Sequence, residues 1–279
     1  MPEVISAPPG SVEPNENFIS HTSANILCNY MKEASYLEKA LQSMAIKPRY
    51  VEEIIDYLGL MNLYSISFPM SCFCDIPLSK VNDHMEKYGS YGIAFEKNKV
   101  LKRNVQPIIY LNSESAYGRD FINALHQLID REESIDKSWE FLPDFLLSVM
   151  MYTKPISGKM RVKENDESVV KTFYFRDECE WRYIPTDIPN DMDRVVTTTW
   201  NNDNGRERFS NALAKYKKCW FNFTVDDIVY LIVPNEYAAI NLIRFIRSSG
   251  FARYGLSLDN RNRLISKIEI ADKFDKNLI

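Results

Sequence analysis

Residues 65–96, SISFPMSCFCDIPLSKVNDHMEKYGSYGIAFE, restrict the fold more than any other stretch. The apolar run from Tyr64 to Phe73 has the length of a buried strand, and Pro77 breaks it. Ser79 is placed to cap a helix of about two turns, because Val81, His84, Met85 and Tyr88 then share one face. Gly89 stands where that helix would close, and YGIAF reads as the next strand. Strand, turn, short helix and strand in so few residues point to an α+β domain with a cleft beside their junction. The same stretch concentrates chemistry: Cys72, Cys74, Asp75, His84, and the tyrosines Tyr88 and Tyr91, each followed by a glycine.

The rest of the chain fits one domain over residues 18–279. Residues 1–17 hold four prolines and no hydrophobic period, the pattern of a flexible N-terminal tail. Phe18 to His21 reads as a short strand. Thr22 or Ser23 would cap a helix whose apolar face includes Ile26, Leu27, Tyr30, Met31, Leu37 and Leu41. Pro48 ends it, and a second helix is expected over 50–59. VQPIIYLN, from 105, gives a third strand, and helices follow at 117–133 and 138–153. The polar segment 155–170 reads as a loop. KTFYF and CEWRYIP read as two short paired strands, and 187–205 as a long loop. Helix 206–219, strand 228–233, helix 236–249 and strand 263–270 complete the chain, the last three forming a β-α-β unit at one end of the sheet.

Composition narrows the function. A net charge of −4 argues against a surface that coats nucleic acid, and the count of only 9 glycines argues against a glycine-rich phosphate loop. The five cysteines form no zinc spacing, so no metal is expected. Their odd number, with no signal-peptide pattern, points to reduced thiols in a cytoplasmic protein. No apolar run approaches the roughly 20 residues of a membrane-spanning helix.

Several constellations carry candidate chemistry. His21-Thr22 lies between a strand and a helix, where an imidazole would be held rigidly enough to bond a ribose hydroxyl; alternatively Thr22 only caps the helix and His21 packs. Asp75 follows the apolar run and is read as a turn former. Cys72 and Cys74 are read as small buried hydrophobes. His84 and Tyr88 share a helix face, and Tyr91 offers a ring at the start of a strand; each faces a ligand or packs. In ECEWR, a strand would set Glu178, Glu180 and Arg182 on one face. Two carboxylates beside an arginine would position a sugar hydroxyl and stabilise positive charge at an anomeric carbon; the competing reading is a solvent-exposed ladder of ion pairs. The basic residues Lys154, Arg161, Lys163 and Lys171 read as a solvated face.

SCFCDIPLSKVNDHMEKYGSYGIAFEK, then VQPIIYLN, YTKPISGK and ECEWRYIP, resembles the abortive-infection family AbiGi in order and over roughly residues 18–270. That resemblance implies a bacterial, cytoplasmic phage-defence protein. It also implies a toxin–antitoxin setting in which the family is catalogued as the antitoxin partner of a nucleotidyltransferase-like toxin. The layout is also similar to mono-ADP-ribosyltransferases, which implies a split, mostly antiparallel sheet flanked by helices. On that similarity NAD would be the substrate, and His21 with Thr22 would hold its adenosine-side ribose. Tyr88 or Tyr91 would contact nicotinamide, Glu180 would bond the nicotinamide ribose, and Glu178 would orient the acceptor, nucleic acid being one candidate. An S-T-S triplet is missing; Ser71-Cys72-Phe73-Cys74 stands in its place. The leading expectation is thus an NAD-dependent effector that modifies a macromolecule and is contacted by a cognate antitoxin. The alternative is a non-catalytic antitoxin or regulatory partner of a toxin.

Overall fold

The structure, a computed structural model, describes residues 25–60, 63–129, 144–164 and 167–274. It begins with β1 (Ile26–Met31), α1 (Ala34–Ser43), β2 (Ala45–Ile46), β3 (Arg49–Ile54) and the ten-residue β4 (Ser65–Cys74). Next come α2 (Asn82–Tyr88), β5 (Tyr91–Glu96), α3 (Lys97–Leu101), β6 (Val105–Pro107) and β7 (Ile109–Leu111). Helices α4 (Ala116–Ile129) and α5 (Asp144–Met151) precede β8 (Thr153–Pro155), β9 (Ser157–Glu164), β10 (Glu167–Tyr174) and β11 (Glu180–Tyr183). The chain continues through α6 (Asp203–Leu213), β12 (Phe221–Asn222), β13 (Ile228–Val233) and α7 (Glu236–Arg247). It closes with α8 (Ser249–Ala252), α9 (Leu258–Ile265) and β14 (Ile268–Ile270).

Among the described residues, eight strands form one sheet in the order β14–β13–β5–β1–β4–β11–β6, with β3 also paired to β4. Within this sheet only the β13–β14 pair, at the end, is parallel, the β-α-β geometry expected there. The fold is therefore α+β, with a mainly antiparallel sheet and flanking helices.

The two faces of the sheet differ in bulk, and this difference makes the cleft. Side chains alternate, so Leu27, Phe73, Phe95 and Leu231 fall on one face and Cys28, Cys74, Ala94 and Ile232 on the other. On the bulky face Phe95 meets Phe73, Phe221 and Phe223 edge-on, with ring centroids 5.1–5.9 Å apart, and α1 and α7 close over them. On the other face the small cysteines and Ala94 leave room.

That room opens along one edge of β4. Cys74 has Cys28 of β1 on one side and Glu180 of β11 on the other. Ser67 exchanges both backbone hydrogen bonds with Val196, at 2.8 and 2.7 Å, and pairs with Glu52 of β3 on its opposite side. Backbone groups of a strand point alternately to its two edges, so the Cys72 carbonyl points away from Val196; Asn29 Nδ2 of β1 donates to it at 2.7 Å. β1 and β3 thus share one edge of β4, β1 at its end and β3 along residues 65–70, and they part between.

Several expected elements are corrected. The helix expected from residue 22 is β1 followed by α1, because Ile26–Met31 is a nearly continuous apolar run that fits a strand as well as a helix, and a six-residue ladder with β5 decides it. The helix expected at 50–59 is β3, held by six pairs to β4. The loop expected at 155–170 is mostly the β9–β10 hairpin, whose polar faces carry no clear hydrophobic period; KTFYF pairs within it, not with ECEWR. The strand expected at 263–270 is α9 followed by the short β14. The long irregular segment before residue 203 is as expected, apart from a single 3-10 turn at Thr198–Trp200. The proposed tail and the first strand, Phe18 to His21, lie outside the described residues.

Candidate functional site

Where β1 and β3 part, a cleft of about 440 Å³ runs along β3 to α2 and the β9–β10 hairpin. Its floor is ionic. Arg182, fully buried, donates from Nε to Glu180 Oε1 at 2.7 Å, from Nη2 to Glu53 Oε1 at 2.7 Å and from Nη1 to the Met151 carbonyl at 2.6 Å. Lys154 Nζ lies 3.1 Å from Glu178 Oε2 and 3.2 Å from Glu180 Oε2, and 4.1 Å over the Phe175 ring. Tyr88 Oη donates to Glu178 Oε1 at 2.7 Å, and Lys87 pairs with the same oxygen.

Each partner arrives for a local reason. Glu180 and Arg182 are two apart on β11, so they share the face that carries Cys74 and Cys72, their cross-strand partners. Glu178 is not on that strand, contrary to the sequence expectation. It ends a 3-10 turn, Phe175–Glu178, and Cys179 then adopts a left-handed conformation (φ 43°, ψ 48°) that brings Glu178 beside Glu180. β8 is only three residues long and carries Lys154 into the interior between two buried neighbours, Thr153 and Pro155.

Three carboxylates (Glu53, Glu178, Glu180) meet three cations (Lys87, Lys154, Arg182), so the cluster is neutral. Burial pushes the Glu180 carboxyl up, but Arg182 and Lys154 outweigh it and hold it well below the usual carboxylate range. Burial likewise opposes the ionised form of Glu178, and Lys154, with hydrogen bonds from Lys87 and Tyr88, brings it below its usual value. Burial works against the Lys154 charge, yet Glu180, Glu53 and Glu178 raise its pKa above the ordinary lysine range.

Above the floor stands an aromatic wall. His84 lies 5.5 Å from Tyr30 and 4.5 Å from Tyr88 by ring centroids. Burial lowers His84 to about 4, which leaves its imidazole neutral near pH 7. Burial raises the Cys28 thiol to about 12 and pushes Cys72 and Cys74 well above the usual thiol range, so none of the three is a ready nucleophile.

Of the residues singled out from sequence, the structure brings Glu178, Glu180, Tyr88 and His84 together at the cleft. Tyr91 does not join them: it opens β5 opposite Met31 and packs on the bulky-face core. Asp75 pairs with Lys97 away from the floor. His21 and Thr22 lie outside the described residues. The solvent-exposed ladder is ruled out for Glu178, Glu180 and Arg182, each buried. Sequence reasoning missed Glu53, concealed in a supposed helix, and Lys87. It assigned Lys154 to a solvated face; the signal against that was the apolar setting MMYTKPI. Among the described residues no group of three His, Cys, Asp or Glu side chains is arranged to hold a metal ion, and no helix is long and apolar enough to cross a membrane.

A family model described as "Putative abortive phage resistance protein AbiGi, antitoxin" matches residues 29–234. The chain belongs to the AbiGi family. The "Abortive phage resistance protein AbiGi" of Lactococcus lactis subsp. cremoris is 31% identical over 251 residues, covering 82% of this chain and 98% of the relative. The AbiGi match runs from within β1 to the end of β13 and so includes every member of the floor cluster. No solved structure matches the chain.

Proposed function

We propose that this AbiGi-family chain serves abortive phage resistance in the cytoplasm as a regulatory, antitoxin-type partner of a toxin, working by binding rather than by bond-breaking chemistry. The observation that carries this reading is the neutral floor: both oxygens of Glu178 and both of Glu180 already accept from Lys87, Tyr88, Lys154 or Arg182. A carboxylate that stabilises an oxocarbenium-like state must present uncompensated negative charge to the sugar. Here that charge is cancelled within the protein. The family description, with its antitoxin role, supports the same reading.

Growth tests it. Expression of the chain alone leaves growth normal, and co-expression with a nucleotidyltransferase-like toxin encoded beside it restores growth to arrested cells. Arrest by the chain alone, relieved by Glu180→Gln, would overturn the proposal.

A second reading is an NAD-dependent ADP-ribosyltransferase that modifies a macromolecule such as nucleic acid. What favours it is Glu180 at the start of β11, under a cleft that Tyr88 lines and that opens where two strands leave a common neighbour. Nicotinamide release from NAD by the purified protein, abolished in Glu180→Gln, would move the weight to this reading.

A further inference from the structure

We propose that the cleft binds a ligand of the mononucleotide class, its flat base against Tyr30, His84 and Tyr88 and its phosphate at Arg49 and Arg161. This goes beyond the antitoxin reading, which needs a protein partner but no small molecule. It would give the protein an input for a metabolic signal.

Four observations converge. First, a volume of about 440 Å³ falls in the range of small-molecule sites, roughly 300–1,000 Å³. The cysteines Cys28, Cys72 and Cys74 create it by replacing bulk on that face. Second, the aromatic wall runs through His84, with ring centroids 5.5 and 4.5 Å apart and planes tilted by 60° and 40°, so a heteroaromatic ring can stack on one ring and meet the next edge-on.

Third, Tyr30 Oη is buried without an oxygen or nitrogen partner among the described residues; the thiols of Cys28 and Cys74 stand near it. Buried hydroxyls are almost always satisfied in native interiors, and this one, closed off beside the cleft, meets a ligand's polar edge once the ring turns toward the cleft. A base edge or a ribose hydroxyl supplies one.

Fourth, the mouth holds guanidinium groups with donors to spare. Arg49 lines the cleft, is exposed and has no ion-pair partner among the described residues. Arg161 and Arg206 both reach Glu52, at 3.2 and 3.4 Å, longer than the usual 2.7–2.9 Å of a tight charge-assisted bond; Arg206 is also held by Asp203 and Asn201, so the spare donors belong to Arg49 and Arg161. Arg161 engages it only through Nε, which leaves its two terminal amino groups for another anion. The arginine fork matches a phosphate's geometry, whereas a neutral nucleoside would leave these donors unused.

The test is isothermal titration calorimetry on the full chain. The probes are AMP, GMP, CMP and UMP, then adenosine, inorganic phosphate and NAD. At least one mononucleotide should bind with Kd below about 100 μM, and its separate halves at least about tenfold more weakly. Arg49→Ala should weaken the mononucleotide by about tenfold or more and leave adenosine within about twofold. Tyr30→Phe keeps the ring and removes the orphan hydroxyl; it should weaken mononucleotide and adenosine alike, by about two- to tenfold. Unfolding midpoints of both variants within a few degrees of the wild type exclude a folding defect.

No binding of any mononucleotide up to about 1 mM overturns the proposal. So does binding that neither substitution changes. NAD bound more than about tenfold tighter than AMP would reassign the cleft to a dinucleotide and also overturn it. Failure of the antitoxin reading would show in the growth experiment and leave these titrations as they are.

Discussion

Replacing Lys154 with methionine keeps the length of the side chain and removes the central cation of the cleft floor. Its Nζ sits 3.1 Å from one carboxylate and 3.2 Å from the other. At an effective dielectric constant of about 20, each contact corresponds to about 5 kcal/mol of attraction. Desolvation of the lysine, which is 6% exposed, and of its two partners cancels much of that sum. The expected loss is about 3–5 kcal/mol, the range found when one member of a buried ion pair is removed and its partner left behind.

The deficit should depend on pH in a defined way. Glu178 and Glu180 are held below their usual values, so their stabilisation is present above the unfolded glutamate value of about 4.3 and fades as pH falls through their folded values. Lys154 is raised, so its contribution is full below the unfolded lysine value of about 10.4. The variant should therefore be weakest, relative to wild type, between about pH 5 and pH 10, and should approach it in more acid solution. Urea unfolding followed by tryptophan fluorescence, at pH 7 and then stepwise to pH 4, measures this; Trp181 of β11 packs on the bulky-face core and reports global unfolding. A loss below about 1 kcal/mol at pH 7 with an unchanged denaturant slope would refute the reasoning, because the cluster would then be solvated and not a buried lattice.

His84 adds a second loss of stability on the acid side, at a higher pH than the carboxylates. Its folded value of about 4 lies below the ordinary histidine value of 6.5, so the unfolded chain binds more protons between the two, and stability should fall by about 2–3 kcal/mol as pH drops through that window. His84→Phe should flatten that part of the profile, and an NMR titration of the ring with a midpoint near 6.5 would contradict it. Gly89 has φ +114°, and a Cβ there would stand 2.1 Å from the Met31 carbonyl oxygen. Gly89→Ala should cost about 2 kcal/mol or more in the same unfolding assay, whereas a neutral result would mean that the α2–β5 junction moves freely.

Much of the architecture could be read from periodicity. The β4–α2–β5 stretch, the closing glycine and the terminal β-α-β unit all rest on strong local signals. The errors share a cause. In YVEEI and ILCNYM the apolar positions satisfy both a helical and an extended spacing, and partners 11 to 70 residues away choose between them. The hairpin at 157–174 is polar on both faces, so its pairing leaves little hydrophobic trace. At the cleft, Glu180 and Tyr88 were legible as residue types near turns. Lys154 and Glu53 were not, because a buried charge in a short strand looks in sequence like an exposed one, and only the partner across the sheet distinguishes them.

The floor cluster also sets an order of events for the chain as it is made. Arg182 bonds Glu53 across 129 positions of sequence, and the remaining members come from residues 87, 154, 178 and 180. No N-terminal fragment shorter than 182 residues holds the full set of charges, so until Arg182 emerges Glu53 has no guanidinium to meet. Pairings this distant also close slowly. The cleft is consequently a late product of folding, completed only once the central strands are in register. A truncated or nascent chain would present neither the neutral floor nor the walls above it.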